Sequence, residues 1–460
     1  MNQKLTKVAA TAALAAALAG CQTIGGGATL SFPGGGPEAP ERPLLERDGV
    51  AEMRATVPER PDAITKRYGL SGSTVNINGN DAAVTQPTVE RELRRILSRI
   101  EAAWGPNGPD IDLQLTSGQS YHASATGAWE IRVNAGIIEN AEHEDEVAAV
   151  LAHEYAHVVL RHFDRLDAED ARSEVMDGLF KAGMALATAS QILGEDSELG
   201  QGVALAALAA NQVAETVVEP AWTRTQEDEA DLLAIDLMAK AGYRPDALFD
   251  VLERIHNQSE QGDAVARRIA DAMRPRFQML KDGSVRVSVD VGGAVRQMAG
   301  ALLDKLREEH SSPMARRDDA QSYILAHHDD GAFLQPPMKP LRIKTDPDVQ
   351  AFLTRQRDAH DALTNFVQGD YIKAESLAQK VITREPRHPK ARLTLARLAA
   401  NVGDADRSLR HLMIAQRHPD VAPGILTALA KAHVYGGHYD LASDALDRMD
   451  EKFGSPRDVL

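Results

Sequence analysis

The sequence predicts a mainly α chain of the α+β kind, in which a helical domain holding a small β-sheet is followed by an all-helical repeat domain. Three observations carry this prediction. A helical apolar stripe runs through residues 88–104, apolar and polar residues alternate in two segments after it, and small residues return every 34 positions in the last third. At 460 residues the chain is long enough for two or three domains with real cores. Its hydrophobic content of 43%, poor in aromatics at 4%, supplies the Ala, Val and Leu of packed helices. The formal net charge of -16, from 51 Lys+Arg against 67 Asp+Glu, argues against a nucleic-acid partner, because phosphate binding rests on clustered basic residues.

Lys4 and Lys7 precede an uncharged run from Val8 to Ala19, the layout of a secretory signal and too short for a spanning helix. The only cysteine closes that run as Leu18-Ala19-Gly20-Cys21, which resembles the lipobox of bacterial lipoproteins. Residues 1–20 are thus expected to be a signal peptide, with Cys21 as the lipidated residue. Stable anchoring follows, since each buried methylene adds about 0.8 kcal/mol and two chains suffice. Residues 21–60, rich in Gly and Pro and without a period at their start, are expected to be a flexible tether. Gln22 in place of Asp favours, by the same resemblance, the outer membrane, so the body is expected to face the periplasm.

The first helix is read at 88–104, where Val89, Leu93, Ile96, Leu97 and Ile100 share a face before Gly105-Pro106. Alternation from Ile111 to Leu115 and around Trp129, Ile131 and Val133 predicts two strands. A helix is then placed at 141–163, capped by Asn140, with acidic residues in its first turns and Arg161 and His162 at its end. Two Ala-rich segments, 178–193 and 202–218, fall short of the roughly 20 residues of a span and are expected to be small-residue helices covering this domain.

The helix placed at 141–163 carries LAHEYAHVVLRH. Residues four apart lie about 40° apart around a helix, so His153 and His157 aim at one point where a metal can sit. Glu154, about 100° from His153, can reach a metal-bound water without binding the metal, the HExxH arrangement of zinc hydrolases. His162, about 140° from His157 on a regular helix, is excluded as a ligand and read as a polar helix-end contact. Downstream, a helix ending at Gly242 before Pro245 puts Glu227 and Asp231 on one face, a carboxylate for the metal and, one turn on, an aspartate to orient a ligating histidine.

In the last third, Gly369, Gly403 and Gly437 stand 34 apart, as do Ala362, Ala396 and Ala430, and Ala374, Ser408 and Ala442. This period matches the tetratricopeptide repeat, whose small residues let paired helices touch and whose glycine turns between them. Tyr371, Tyr439 and Pro386 fit the pattern, and Ala405 departs from it. A repeat domain over 346–460 with a concave docking surface is expected, after a metallopeptidase domain over 61–345.

The runs VNAGIIENAEHEDEVAAVLAHEYAHVVLRH and RTQEDEADLLAIDLMAKAGYRPDA resemble the zinc metallopeptidases of the HtpX and CAAX-prenyl-endopeptidase family, especially a periplasmic branch with tetratricopeptide repeats. The resemblance is close over roughly residues 110–250 and implies a gluzincin-like domain with one zinc ion. His153, His157 and Glu227 match its ligands, Glu154 its catalytic base and Asp231 the aspartate of ExxxD. His162 matches the histidine of its HxxxRH helix end. The strand with Trp129, Ile131 and Val133, followed by Asn134 and Gly136, matches its substrate-accepting edge strand and turn. Where the family has Asn-Ala this chain has His122-Ala123, and where it has His-Pro and a following arginine the chain has His310-Ser311-Ser312-Pro313 and Arg316. His310 is therefore a candidate for stabilising the transition state or blocking the open metal position. The resemblance implies misfolded or misassembled envelope proteins as substrates, and possible contact with outer-membrane assembly machinery through the repeats. A different class, a chaperone or scaffold lipoprotein acting mainly through its repeats, is the alternative.

Overall fold

The computed structural model describes residues 42–59, 81–164, 222, 224–258, 278–279, 285–286, 312–328, 337–419 and 421–453. The expected signal peptide, Cys21, Gln22, the two Ala-rich segments and His310 lie outside the described residues. The chain divides into two units. In one of them the described part is a short antiparallel hairpin, Gln278–Met279 with Val285–Arg286; the other holds everything that follows here.

The expected tether is corrected over its last part. Residues 42–59 include a helix, α1 (Asp48–Ala55), and Leu44, Leu45 and Val50 are buried in the main core. Their backbone is tied as well: Leu44 N donates to Tyr323 Oη at 2.6 Å and Leu45 N to Asp236 Oδ2 at 2.8 Å. These apolar residues follow the Gly/Pro-rich stretch directly, and burying them outweighs the freedom of a spacer.

Helix α2 (Pro87–Trp104) starts on Pro87, with the Gln86 side chain accepting from the amides of Thr88 and Val89, and stops at Gly105, whose φ of 132° suits only glycine. Its predicted stripe is its buried face. Strands β1 (Asp112–Thr116), β2 (Ala123–Thr126) and β3 (Glu130–Asn134) form a sheet in the order β1-β3-β2, with β1 parallel and β2 antiparallel to β3. The expectation of a substrate edge at Trp129, Ile131 and Val133 is thereby corrected. Ile131 and Val133 lie on the central strand, fully buried and paired on both sides, and Trp129 lies in the turn before it at a φ of 62°. The edge nearer the motif helix is β2, which alternation did not signal because Ala-Ser-Ala-Thr carries no large apolar residue.

A short helix, α3 (Ala135–Asn140), intervenes before the motif helix α4 (Glu144–Val159). Asn140 is not the cap of α4, because its amide donates to Gly136 O at 2.7 Å and so closes α3. His143 caps α4 instead, in a capping box with Glu146. Asp145 then pins the start of α4 to two distant segments, accepting from Arg244 N at 2.9 Å and Lys339 N at 2.8 Å. Helix α5 (Arg224–Ala241) ends at Gly242 with a φ of 74°, as the sequence predicts, and packs along α4. Helices α6 (247–258) and α7 (Pro313–His327) complete this part.

Six helices follow: α8 (Pro347–Val367), α9 (Tyr371–Arg384), α10 (Pro389–Asn401), α11 (Ala405–Ala415), α12 (Pro423–Tyr435) and α13 (Tyr439–Phe453). They pack as three hairpins, each turned by a glycine at positive φ: Gly369, Gly403 and Gly437 at 83°, 77° and 73°. Ala362, Ala396 and Ala430 are buried where the helices meet. The hairpins are fastened to the sheet by residues 81–84. Ala83 bridges Thr116, Val84 N donates to Leu115 O, Ala82 packs into the hairpin core, and the buried Lys390 of α10 pairs with Asp81. No helix among the described residues is long and apolar enough to cross a membrane.

Candidate metal centre

Helices α4 and α5 lie against each other so that His153, His157 and Glu227 offer donor atoms all within 4.8 Å of one another. The ring nitrogens His153 Nε2 and His157 Nε2 are 3.1 Å apart, and the Glu227 carboxylate approaches them at 3.6 and 3.9 Å. Two nitrogens on a tetrahedral ion at 2.0–2.1 Å stand about 3.3 Å apart, so the cluster fits a metal with small adjustment. Asp231, one turn after Glu227, faces His153 Nδ1 at 2.9 Å and leaves the other ring nitrogen for a ligand role. Glu154 lies one residue past His153 on α4 and is buried.

Arg316, on α7, completes the site. Its guanidinium binds Asp231 in bidentate fashion at 2.7 and 2.8 Å and reaches Glu227 Oε2 at 2.6 Å. Burial pushes the Asp231 carboxyl up, but Arg316 and His153 outweigh it and hold the group well below the usual carboxylate range. For His153, burial works against protonation, yet the Asp231 carboxylate outweighs it and raises the pKa. His157 goes the opposite way: burial, with His153 and His162 beside it, holds it neutral, as a ligand must be. Asp228, exposed to burial and to the neighbouring Asp231 and Asp319 charges, is pushed up to about 6.

The sequence noted Arg316 only as the arginine after His310 and gave it no contact. Trp222 was missed too; its ring stacks on His157 at 4.4 Å between centroids and 18° between planes. His162 stands outside that cluster of donor atoms, and its contact is with His157 itself, Nδ1 to Nδ1 at 2.9 Å, and not only with the helix end. A second grouping, His143, Glu146 and Asp250, also has metal-like spacing. There both Glu146 oxygens are already engaged, one by the Glu142 and His143 amides and one by Arg254 Nε at 2.7 Å.

An HExxH helix crossed by a second helix that supplies a glutamate and an orienting aspartate defines a metallopeptidase. Residues 85–328 match peptidase family M48, and the chain belongs to that family. Similar proteins include the β-barrel assembly-enhancing protease of Escherichia coli K12, 23% identical over 264 residues that cover 54% of this chain and 52% of that protein. The metalloprotease LoiP of the same organism is 26% identical over 212 residues, 46% of this chain and 77% of LoiP. A protease HtpX homolog of Trichormus variabilis is 29% identical over 241 residues, 50% of this chain and 74% of the homolog. The match spans about half the length of the β-barrel assembly-enhancing protease.

Proposed function

We propose that this chain is a lipid-anchored periplasmic zinc endopeptidase that hydrolyses misfolded or misassembled envelope proteins. The observation that carries the catalytic part is the convergence of His153 Nε2, His157 Nε2 and the Glu227 carboxylate, with the far nitrogen of each imidazole already engaged. Two nitrogens and one carboxylate with no cysteine suit zinc at a catalytic centre better than at a closed structural one. Zinc held there supplies Lewis acidity and a water acidic near neutral pH. Glu154 takes the proton from the attacking water and returns it to the leaving amine. Asp231 holds His153 in register, and Arg316 balances the two carboxylates around it. The outer edge of β2, residues 123–126, is the strand against which an extended substrate pairs.

The helical hairpins, read as tetratricopeptide repeats, dock substrate or outer-membrane assembly machinery, and Cys21 anchors the chain to the outer membrane. The similarity to the β-barrel assembly-enhancing protease of E. coli supports assembly machinery as the partner. Glu154→Gln is expected to keep one zinc per chain and to lose cleavage of an unfolded protein substrate. If that variant still complements a deletion strain, the scaffold reading replaces this one. Cys21→Ser is expected to abolish acyl labelling and release the protein from membranes; labelling at the parent's level would sink the anchor.

A further inference from the structure

A metal-ligating imidazole has two degrees of freedom that matter: which nitrogen carries the proton, and where the ring points. On α4 the first ligand, His153, has Asp231 for this purpose. For the second ligand, His157, the carboxylate at helical spacing, Glu154, is reserved for the attacking water, so its Nδ1 needs another partner.

The chain solves this by breaking the helix. Leu160 still accepts a helical conformation, but Arg161 takes a φ of 56°, a left-handed conformation that glycine usually fills at this position. A regular helix would swing His162 about 140° away from His157. The left-handed residue instead turns the chain back, so that the wholly buried His162 places its Nδ1 2.9 Å from the Nδ1 of His157. On its far side His162 Nε2 lies 3.3 Å from Glu229 Oε2, and its backbone carbonyl accepts from Gln226 Nε2 at 3.1 Å. Both partners belong to α5, the helix that also carries Glu227 and Asp231.

Only one proton arrangement satisfies this row of atoms when Nε2 of His157 is kept for a metal. His157 carries its proton on Nδ1 and donates to His162 Nδ1; His162 then carries its own on Nε2 and donates to the Glu229 carboxylate. Trp222, stacked on the face of His157, fixes the plane of the ring while His162 fixes its rotation within that plane.

We infer that His162, backed by Glu229, is the positioning residue for His157, a His–carboxylate relay that holds the second metal ligand in its binding tautomer. The inference rests on the metal-centre reading above. Its partner class is a borderline divalent cation such as zinc, for which a fixed imidazole nitrogen is the donor. Strain at Arg161 is then the cost of bringing His162 under the ligand.

The test compares His162→Leu and His162→Gln in the full-length chain, with zinc affinity read by chelator competition and the ligand field by the visible spectrum of the cobalt-loaded protein. His162→Leu is expected to lower zinc affinity about 10- to 100-fold, the usual effect of losing such a partner. It should also shift the cobalt bands. His162→Gln, whose amide oxygen accepts and whose amide nitrogen donates, is expected to recover most of the affinity and the parent spectrum. Should His162→Leu fail to fold, Glu229→Ala at the more exposed end of the relay carries the test, with a severalfold loss expected. Parent-like zinc affinity in His162→Leu or in Glu229→Ala, or no recovery by His162→Gln, overturns the assignment. A parent chain that binds no zinc overturns the metal-centre reading itself, which separates the two failures.

Discussion

Replacing Arg316 with methionine keeps an unbranched apolar stem and deletes the guanidinium, leaving Glu227 and Asp231 as two buried carboxylates without their cation. The guanidinium makes contacts of 2.6, 2.7 and 2.8 Å with them and is only 11% exposed. At an effective dielectric constant near 20, a pair of unit charges about 4 Å apart interacts by about 4 kcal/mol. Breaking a buried pair from one side costs about 3–5 kcal/mol. Urea unfolding of the metal-free Arg316→Met chain at pH 7 is therefore expected to show a deficit of about 3–5 kcal/mol. The pH dependence gives the mechanism away. In the parent, Asp231 has a depressed pKa when folded, so its stabilisation is complete above the unfolded value of about 3.9 and is lost as pH falls through the folded one. In the variant, burial is opposed only by His153, so the folded pKa of Asp231 rises, and the penalty is present at neutral pH and is relieved as pH falls. The deficit should thus shrink between pH 7 and pH 4, and excess zinc should recover part of it by neutralising Glu227. Adding Asp231→Asn should restore stability relative to Arg316→Met alone, since neighbours in one network do not add. A deficit below about 1 kcal/mol, or one that stays constant with pH, would refute Arg316 as the counter-ion of this site.

Two other sites give simpler tests. Gly136, in the first turn of α3, lies against the loop of residues 118–120, and a Cβ there would overlap Gln119 O, so Gly136→Ala is expected to cost about 3 kcal/mol, at the top of the overpacking range; an unchanged melting temperature would show that the loop yields freely. His388 caps α10 from a buried position, and burial pushes its pKa down to about 4. Because the folded value lies below the unfolded value of about 6.5, stability is full above the latter and falls by about 3 kcal/mol as pH drops toward 4. His388→Asn keeps a capping side chain without this titration, so its melting temperature should gain on the parent's between pH 7 and pH 4.5, and parallel curves would remove the argument.

Legibility in the sequence followed the range of the interaction. The stripe of α2 and the glycine end of α5 were readable because each is set by neighbours a turn away. His153 with His157, and Glu227 with Asp231, were readable for the same reason, and the structure brings the two pairs together. Sheet order was not, because which strand lies in the middle depends on pairings that leave no mark on alternation; Ile131 and Val133 read as an edge and are the centre. Arg316 reaches Asp231 across 85 residues, and a single arginine has no period by which to find it. The angle of a regular helix turns His162 away from His157, and the one left-handed residue before it cancels that angle. The segment around Leu44 and Leu45 was hidden by the Gly/Pro-rich stretch that precedes it.

The fastening of the hairpins to the sheet has a mechanical side. Lys390 on α10 grips Asp81, two residues before the Ala83–Thr116 bridge, and Thr116 Oγ1 in turn donates to Asn134 Oδ1 at the end of β3. The strap of residues 81–84 is one of two ties: α8 also buries Val349, Phe352 and Leu353 in the main core and pairs Arg357 with Glu139, while β2 and β3 lie against the HExxH helix. The first hairpin and the strands beside the metal ligands therefore share one core, and a displacement of α8 is felt in both.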